Sequence, residues 1–107
     1  MLANIPDSDR QAIRAKHRKY LVLRALHDET SYRLNERVMA DFLNLYAVGG
    51  TRDDLRSAYD DLKREGFLDI VIVEDIQVLS LTLRGAELVE CKVTSDNVYR
   101  PGPGERY

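Results

Sequence analysis

Apolar residues in the first part of the chain recur at the spacing of an amphipathic helix. On a helical wheel of about 100° per residue, one side carries Ala12, Ala15, Val22, Leu23 and Leu26, and the other carries Arg10, Arg14, His17, Arg18 and Arg24. The pattern predicts a helix that follows a flexible lead-in of residues 1–8, is capped by Ser8 or Asp9, and runs to about His27. Its first two turns are expected to stand partly clear of the domain, because Lys16 and Lys19 fall on or beside the apolar side.

A second helix is predicted after the polar connector of residues 27–33. Asn35 is a favourable N-cap, and the helix is expected to run from Glu36 to about Tyr46 with Val38, Phe42 and Leu45 facing inward. Two glycines at positions 49 and 50 follow it. Glycine permits the positive φ values that end a helix and turn the chain.

The stretch from Thr51 to Leu81 predicts a third helix followed by a β-hairpin. Thr51 and Asp54 form a capping pattern, and Gly66 is placed to end the helix. The buried stripe of this helix is expected to consist of Leu55, Ala58, Tyr59 and Leu62. The apolar runs 67–73 and 76–81 predict two strands joined by a tight turn at Glu74 and Asp75.

The remaining residues predict a short helix and a tail. Thr82 is expected to cap a last helix that reaches about Cys91. Residues 95–107 are rich in Pro and Gly and predict a flexible tail without an apolar face to pack, so the domain is expected to span residues 9–94. The order of elements predicts a mainly α fold with a small β-hairpin: a winged helix-turn-helix with a three-helix core, a two-stranded wing and a C-terminal helix.

Several short motifs carry a resemblance to known proteins. They are His17-Arg18, Tyr32-Arg33-Leu34-Asn35, Thr51-Arg52-Asp53, Leu81-Thr82-Leu83-Arg84-Gly85 and Arg100-Pro101-Gly102-Pro103-Gly104. The chain resembles winged-helix regulators of the ArsR, MarR and PadR kind, and is more closely similar to small ArsR-like proteins of Mu-like transposable phages and prophages. The resemblance implies a DNA-binding regulator from a phage or prophage. It does not imply metal sensing, because metal-sensing ArsR proteins use several Cys or His ligands and this chain has one Cys and two scattered His.

Composition narrows the class of protein without identifying a function. The chain has 107 residues, a net charge of −2 and a pI near 5.7, so its global charge gives no support for nucleic-acid binding. Its single cysteine, Cys91, cannot form an intramolecular disulfide and is expected to be a buried thiol. No signal peptide and no apolar run of the ~20 residues that span a bilayer is present, which predicts a cytoplasmic protein without membrane contact.

The sequence contains no pattern that indicates catalysis. It has no nucleophile–base pair, no phosphate-binding glycine loop and no metal-ligand spacing. The aspartates of the third helix alternate with Arg and Lys, as on a solvated charged face. We therefore expect no enzyme activity, no cofactor and no small-molecule ligand.

Local charge distinguishes the candidate binding surfaces. Between Arg10 and Arg24 there are six bases and no acid (+6), between Thr51 and Glu65 four bases and five acids (−1), and between Gly66 and Thr82 three acids and no base (−3). Arg52, Arg56 and Ser57 are placed to face a DNA groove, and Arg is the usual reader of guanine. The basic stripe of Arg10, Arg14, Arg18 and Arg24 is placed to contact phosphates or to dock an acidic protein surface.

Two functions remain open at this point. The first is a DNA-binding transcriptional regulator with double-stranded DNA as its partner, acting alone or as a homodimer. The second is a winged-helix module for protein–protein interaction without DNA binding. The acidic turn at Glu74 and Asp75 favours the second, because phosphate would repel it.

Overall fold

The chain folds into four helices and one small sheet over its described residues. The computed structural model describes residues 4–102, 104, 105 and 107. Its elements are α1 (Asp7–Asp28), β1 (Arg33–Asn35), α2 (Glu36–Leu45), α3 (Arg52–Arg64), β2 (Leu68–Val73), β3 (Ile76–Leu81) and α4 (Leu83–Val89). The predicted order of helices and hairpin strands is confirmed, with one strand, β1, in addition.

Side-chain caps fix where three of the helices begin. Asn35 accepts hydrogen bonds from the amides of residues 37 and 38, and Thr82 accepts one from the amide of Gly85. Thr51 and Asp54 form the predicted capping box, with each side chain accepting from the other residue's backbone N–H. The cap predicted for α1 is wrong: this helix begins at Asp7, after Pro6, and has no side-chain cap. Part of the predicted lead-in is therefore helical.

The sheet is antiparallel and has the strand order β1-β3-β2. β2 and β3 form the predicted hairpin, with Val73 paired to Ile76 next to the turn. β1 was not predicted, because a three-residue strand of Arg33, Leu34 and Asn35 shows no alternating pattern of its own. It forms only by pairing along β3.

The core lies between α1, α3 and the inner face of the sheet. Every residue of the predicted α3 stripe is buried, and so are Val22, Leu23 and Leu26 of α1. The inward face predicted for α2 is wrong at Val38, which is 37% exposed, and at Leu45, which is 80% exposed, whereas Phe42 is half-buried. The buried residues of α2 are Glu36, Met39 and Leu43. Two apolar stripes run along this short helix, and the rest of the fold covers only one of them.

The segment after residue 94 packs on the domain, contrary to the prediction that it has no apolar face to bury. Val98 is buried in the core, and the Tyr99 amide donates to the Lys16 carbonyl at 3.1 Å. The Tyr99 ring stacks on His17 at 3.9 Å, and the Tyr107 hydroxyl lies 2.9 Å from His17 Nδ1. Residues 1–3 of the lead-in, and Pro103 and Arg106 of the tail, lie outside the described residues.

Cys91 also differs from its prediction, because it is exposed rather than buried. It follows the last turn of α4 and has a left-handed backbone, with φ at +63°. In the described part of the chain, none of the helices combines the length and apolarity needed to cross a bilayer.

Candidate nucleic-acid interface

The connector between α2 and α3 is held in place by an arginine of α1. Arg18 Nε donates to the Val48 carbonyl at 2.8 Å, and Arg18 Nη2 donates to the Gly49 carbonyl at 3.2 Å. Arg18 is only 7% exposed, and this burial lowers the pKa of its guanidinium, which Asp54 partly opposes. Arg18 therefore holds the turn that leads into α3, and its guanidinium is buried against the connector instead of lying on the exposed basic stripe that the sequence predicts.

Backbone conformation in this connector differs from the sequence prediction. The left-handed residue is Ala47, with φ at +58°, whereas neither Gly49 nor Gly50 has a positive φ. Space is tight at position 50 instead. A Cβ there would lie 2.9 Å from Asp54 Oδ2 and 3.0 Å from Arg18 Nη2, which would disturb the arginine that holds the connector.

A buried carboxylate joins α2, α3 and the hairpin. Glu36 accepts two hydrogen bonds from Arg56, Nε to Oε1 at 2.9 Å and Nη2 to Oε2 at 2.7 Å, and a third from the Gln77 amide at 2.6 Å. The hydrogen bond from Arg56 holds the pKa of Glu36 below its usual value, and the Gln77 amide adds to this effect against the opposing effect of burial. A bidentate Arg–carboxylate pair of this kind is among the stronger polar contacts in proteins.

The same arginine also stabilises the acidic turn of the hairpin. Glu74 and Asp75 both have left-handed backbones, with φ at +49° and +67°. This conformation suits a two-residue hairpin turn but usually requires Asn or Gly. The Asp75 carbonyl accepts from Arg56 Nη2 at 3.1 Å and from Arg52 Nη2 at 3.2 Å. The two predicted base-reading arginines thus connect the start of α3 to the hairpin.

The outward face of α3 is balanced in charge. Opposite its buried stripe lie the exposed residues Asp53, Ser57, Asp60, Lys63 and Arg64. On the side toward α1, Asp61 forms ion pairs with Lys19 at 3.1 Å and with Arg64. A cleft of about 490 Å³ beside the start of α3 is lined by Arg37 and Arg52 but also by Glu36, Glu74 and Asp75.

The basic stripe predicted on α1 separates into three parts. Arg10 and Arg14 are exposed on its first turns, Arg18 is buried at the connector, and Arg24 pairs with Asp28 at 3.2 Å. Arg24 is about 15 Å along the helix axis from Arg14, at a rise of ~1.5 Å per residue. Arg14 lies close enough to Arg18 to contribute to lowering the pKa of Arg18, and it lines a shallow cleft with Val48 of the connector.

Sequence reasoning missed the two residues that organise this region. Glu36 was assigned only to the first turn of α2, and Arg18 was assigned to a surface stripe. One signal was available for Arg18, which lies four residues before Val22 and therefore at the edge of the apolar stripe. No local signal identifies the partner of Glu36, because Arg56 and Gln77 are 20 and 41 residues away.

Comparison with known proteins finds sequence similarity to a phage protein. It is similar to uncharacterized protein gp26 of Escherichia phage Mu, with 29% identity over 91 residues that cover 85% of this chain and 94% of that protein. No protein-family model matches the chain, and no solved structure matches it. The phage source of this relative agrees with the phage resemblance of the sequence motifs, and its name assigns no activity.

Proposed function

We propose that the chain is a winged helix-turn-helix protein of phage type that binds double-stranded DNA and regulates transcription. In this proposal α2, its connector and α3 form the helix-turn-helix, and β2 and β3 form the wing. The observation that carries it is the construction of the connector: Arg18 and the Thr51–Asp54 capping box fix how α3 leaves the turn. A fixed α2–α3 angle is what a helix needs in order to enter a major groove.

The first turns of α3 and of α1 supply the proposed contacts. Arg52 and Ser57 are exposed near the start of α3, and Arg52 Nη2 donates to the Asp75 carbonyl of the hairpin turn. Arg56 contributes less to base reading because Glu36 holds its guanidinium through two bonds. Arg10 and Arg14 are positioned for phosphate contacts, which supply affinity without sequence information.

The proposal is tested by a salt titration of DNA binding. A labelled duplex of mixed sequence is titrated with the protein from about 50 mM salt upward, and the affinity is expected to fall linearly on logarithmic axes. Arg14→Ala should reduce the magnitude of that slope by about one. Lys16→Ala is the matched control, since it removes the same charge from the same helix at a position rotated by about 160°.

The outcomes separate the proposal from its alternatives. A slope for Arg14→Ala equal to that of the unmodified chain would show that Arg14 does not contact DNA. No binding of the unmodified protein at low salt would overturn the proposal. Selection of a preferred sequence from a random pool, followed by Arg52→Ala, then tests base reading, with an expected cost of about 1–3 kcal/mol on the preferred site only.

A protein-interaction module without DNA binding is the second candidate. It is favoured by the hairpin, which carries the acidic turn and three strongly exposed apolar residues, Val71, Ile72 and Val73. DNA phosphates would repel the acidic turn. Exposure of the apolar strand to water is unfavourable, and a protein partner would relieve it. Absence of DNA binding in the salt titration would select this candidate.

A further inference from the structure

The strand β2 has the features of a protein-binding edge. It lies at the outside of the sheet, and no other strand of the described residues pairs with its outer side. Val71 and Val73 are each 51% exposed and Ile72 is 66% exposed. Edge strands are usually protected by Lys, Pro or a bulge. β2 carries none of these, and its one charge, Asp69, lies near its beginning.

The outer face of the hairpin is apolar as well. Residues alternate between the two faces of a strand, and Leu68 and Leu79 are fully buried on the inner face. The outer face therefore carries the β-branched residues Val71, Val73, Ile76 and Val78. An apolar outer face next to an unprotected edge indicates that another chain covers this part of the sheet.

The direction in which the backbone groups of β2 point determines which residues could pair with a second strand at its open edge. Phe67 accepts from the Thr82 amide, so odd-numbered residues of this strand face β3. Alternate residues of an antiparallel strand bond to opposite sides. The backbone groups of Leu68, Ile70 and Ile72 therefore point to the open edge.

We infer that β2 pairs antiparallel with β2 of a second copy of this chain about a two-fold axis at Val71. In this register Ile70 of each copy bonds to Ile72 of the other, and Val71 lies opposite itself. Asp69 lies opposite Val73, so no like charges meet. The two three-stranded sheets join into one sheet of six strands.

Charge complementarity favours a second copy over another partner. The pairing ends with Val73 of one copy opposite Asp69 of the other, so the turn of Glu74 and Asp75 lies beside the start of the other copy's β2. The guanidinium of Arg84 lies over the Phe67 ring, 4.9 Å from its centroid, and Arg84 is exposed. The acidic turn of each copy thus meets a cation at the base of the other hairpin, twice in one symmetric interface. The inference does not depend on DNA binding.

Engineered cysteines test the register directly. In a Cys91→Ser background, Val71→Cys should form a disulfide-linked dimer under mild oxidation, because directly opposed Cβ atoms lie about 4.5–5.5 Å apart in such a pair. Val73→Cys is the matched control, with the same residue type, strand face and exposure. Its two copies would be roughly 13 Å apart along the strands, four residues at ~3.3 Å each, and should not crosslink.

Sedimentation of the unmodified chain completes the test. A concentration-dependent dimer is expected, and Val71→Lys should convert it to monomer by placing two like charges on the axis. Leu45→Lys alters an equally apolar, 80% exposed residue on α2 and should leave the dimer intact. A monomer at all concentrations, crosslinking of Val71→Cys no faster than that of Val73→Cys, or dissociation by Leu45→Lys alone would each overturn the inference.

Discussion

Glu36 illustrates how one buried carboxylate organises this protein. Its side chain is 9% exposed, and it contacts Arg56 of α3 and the Gln77 amide of β3. Burial of a carboxylate is costly unless its oxygens are paired and hydrogen-bonded. Here both oxygens are engaged, and the cost is offset by contacts that tie three elements together. Glu36 and Arg56 therefore hold α3 and the hairpin in one relative position.

Stability should depend on the ionisation of Glu36. Its pKa lies below the usual 4.5 in the folded chain because Arg56 and the Gln77 amide donate to it. A lowered folded pKa contributes stability that is present above the unfolded pKa and is lost as the pH falls through the folded pKa. Unfolding free energy, measured by urea denaturation, should therefore decline below about pH 4.5.

Glu36→Gln should weaken the fall in unfolding free energy at low pH. Glu36→Ala should lower the free energy of unfolding by roughly 1.5–3 kcal/mol at neutral pH, as expected for lost hydrogen bonds to a charged group. Glu87→Gln makes the same chemical change outside the cluster and should retain the pH dependence of the unmodified chain. An unchanged pH profile in Glu36→Gln would show that this carboxylate does not couple folding to pH.

At the scale of elements, the segment after α4 acts as a strap across α1. Val98 enters the core, Ser95 Oγ donates to Glu65 Oε1 at 2.8 Å, and the Tyr99 ring covers His17. The strap thereby contacts both α1 and the end of α3. Its Pro and Gly residues flank these contacts and do not prevent them.

Truncation after Thr94 should lower the free energy of unfolding by at least about 1.5 kcal/mol, the low end for burying a valine-sized side chain. Val98→Asp in the full chain should reproduce much of this loss. Asp96→Asn, at an exposed position of the same segment, should not. A truncated chain with an unchanged urea midpoint would mean that the strap adds nothing to folding.

Local signals in the sequence predicted the elements but not the contacts between distant residues. Each signal lies within a few residues of the element that it specifies. The Thr51–Asp54 capping box starts α3, Gly66 with φ at +81° follows its end, and the apolar runs form the hairpin strands. β1, the strap and the bonds of Arg18 depend on partners far along the chain, and they were missed for that reason. Arg52, Arg56 and Ser57 were placed correctly on α3, but the bonds that hold the two arginines were not foreseen.

On the scale of the whole molecule, the exposed arginines of α1 and the acidic hairpin turn lie on different elements. Arg10 and Arg14 lie on the first turns of α1, which also carry Asp7 and Asp9, whereas the hairpin turn carries only the acidic residues Glu74 and Asp75. In the proposed arrangement Arg10, Arg14 and the start of α3 contact DNA, and the open edge of the hairpin contacts a second copy of the chain. This arrangement gives the acidic turn a cationic partner in the second copy, beside the bonds that Arg52 and Arg56 donate to the Asp75 carbonyl within the chain.

The proposed DNA contact is tested most directly by mapping it on the protein. An isotope-labelled sample is titrated with a DNA duplex at low salt, and backbone amide shifts are followed by NMR. We predict the largest changes at residues 10–14 and 52–57, with small changes on the outer face of β2 and β3. Changes confined to the hairpin, or none at any DNA concentration, would contradict the account of α3 and α1 as a nucleic-acid interface.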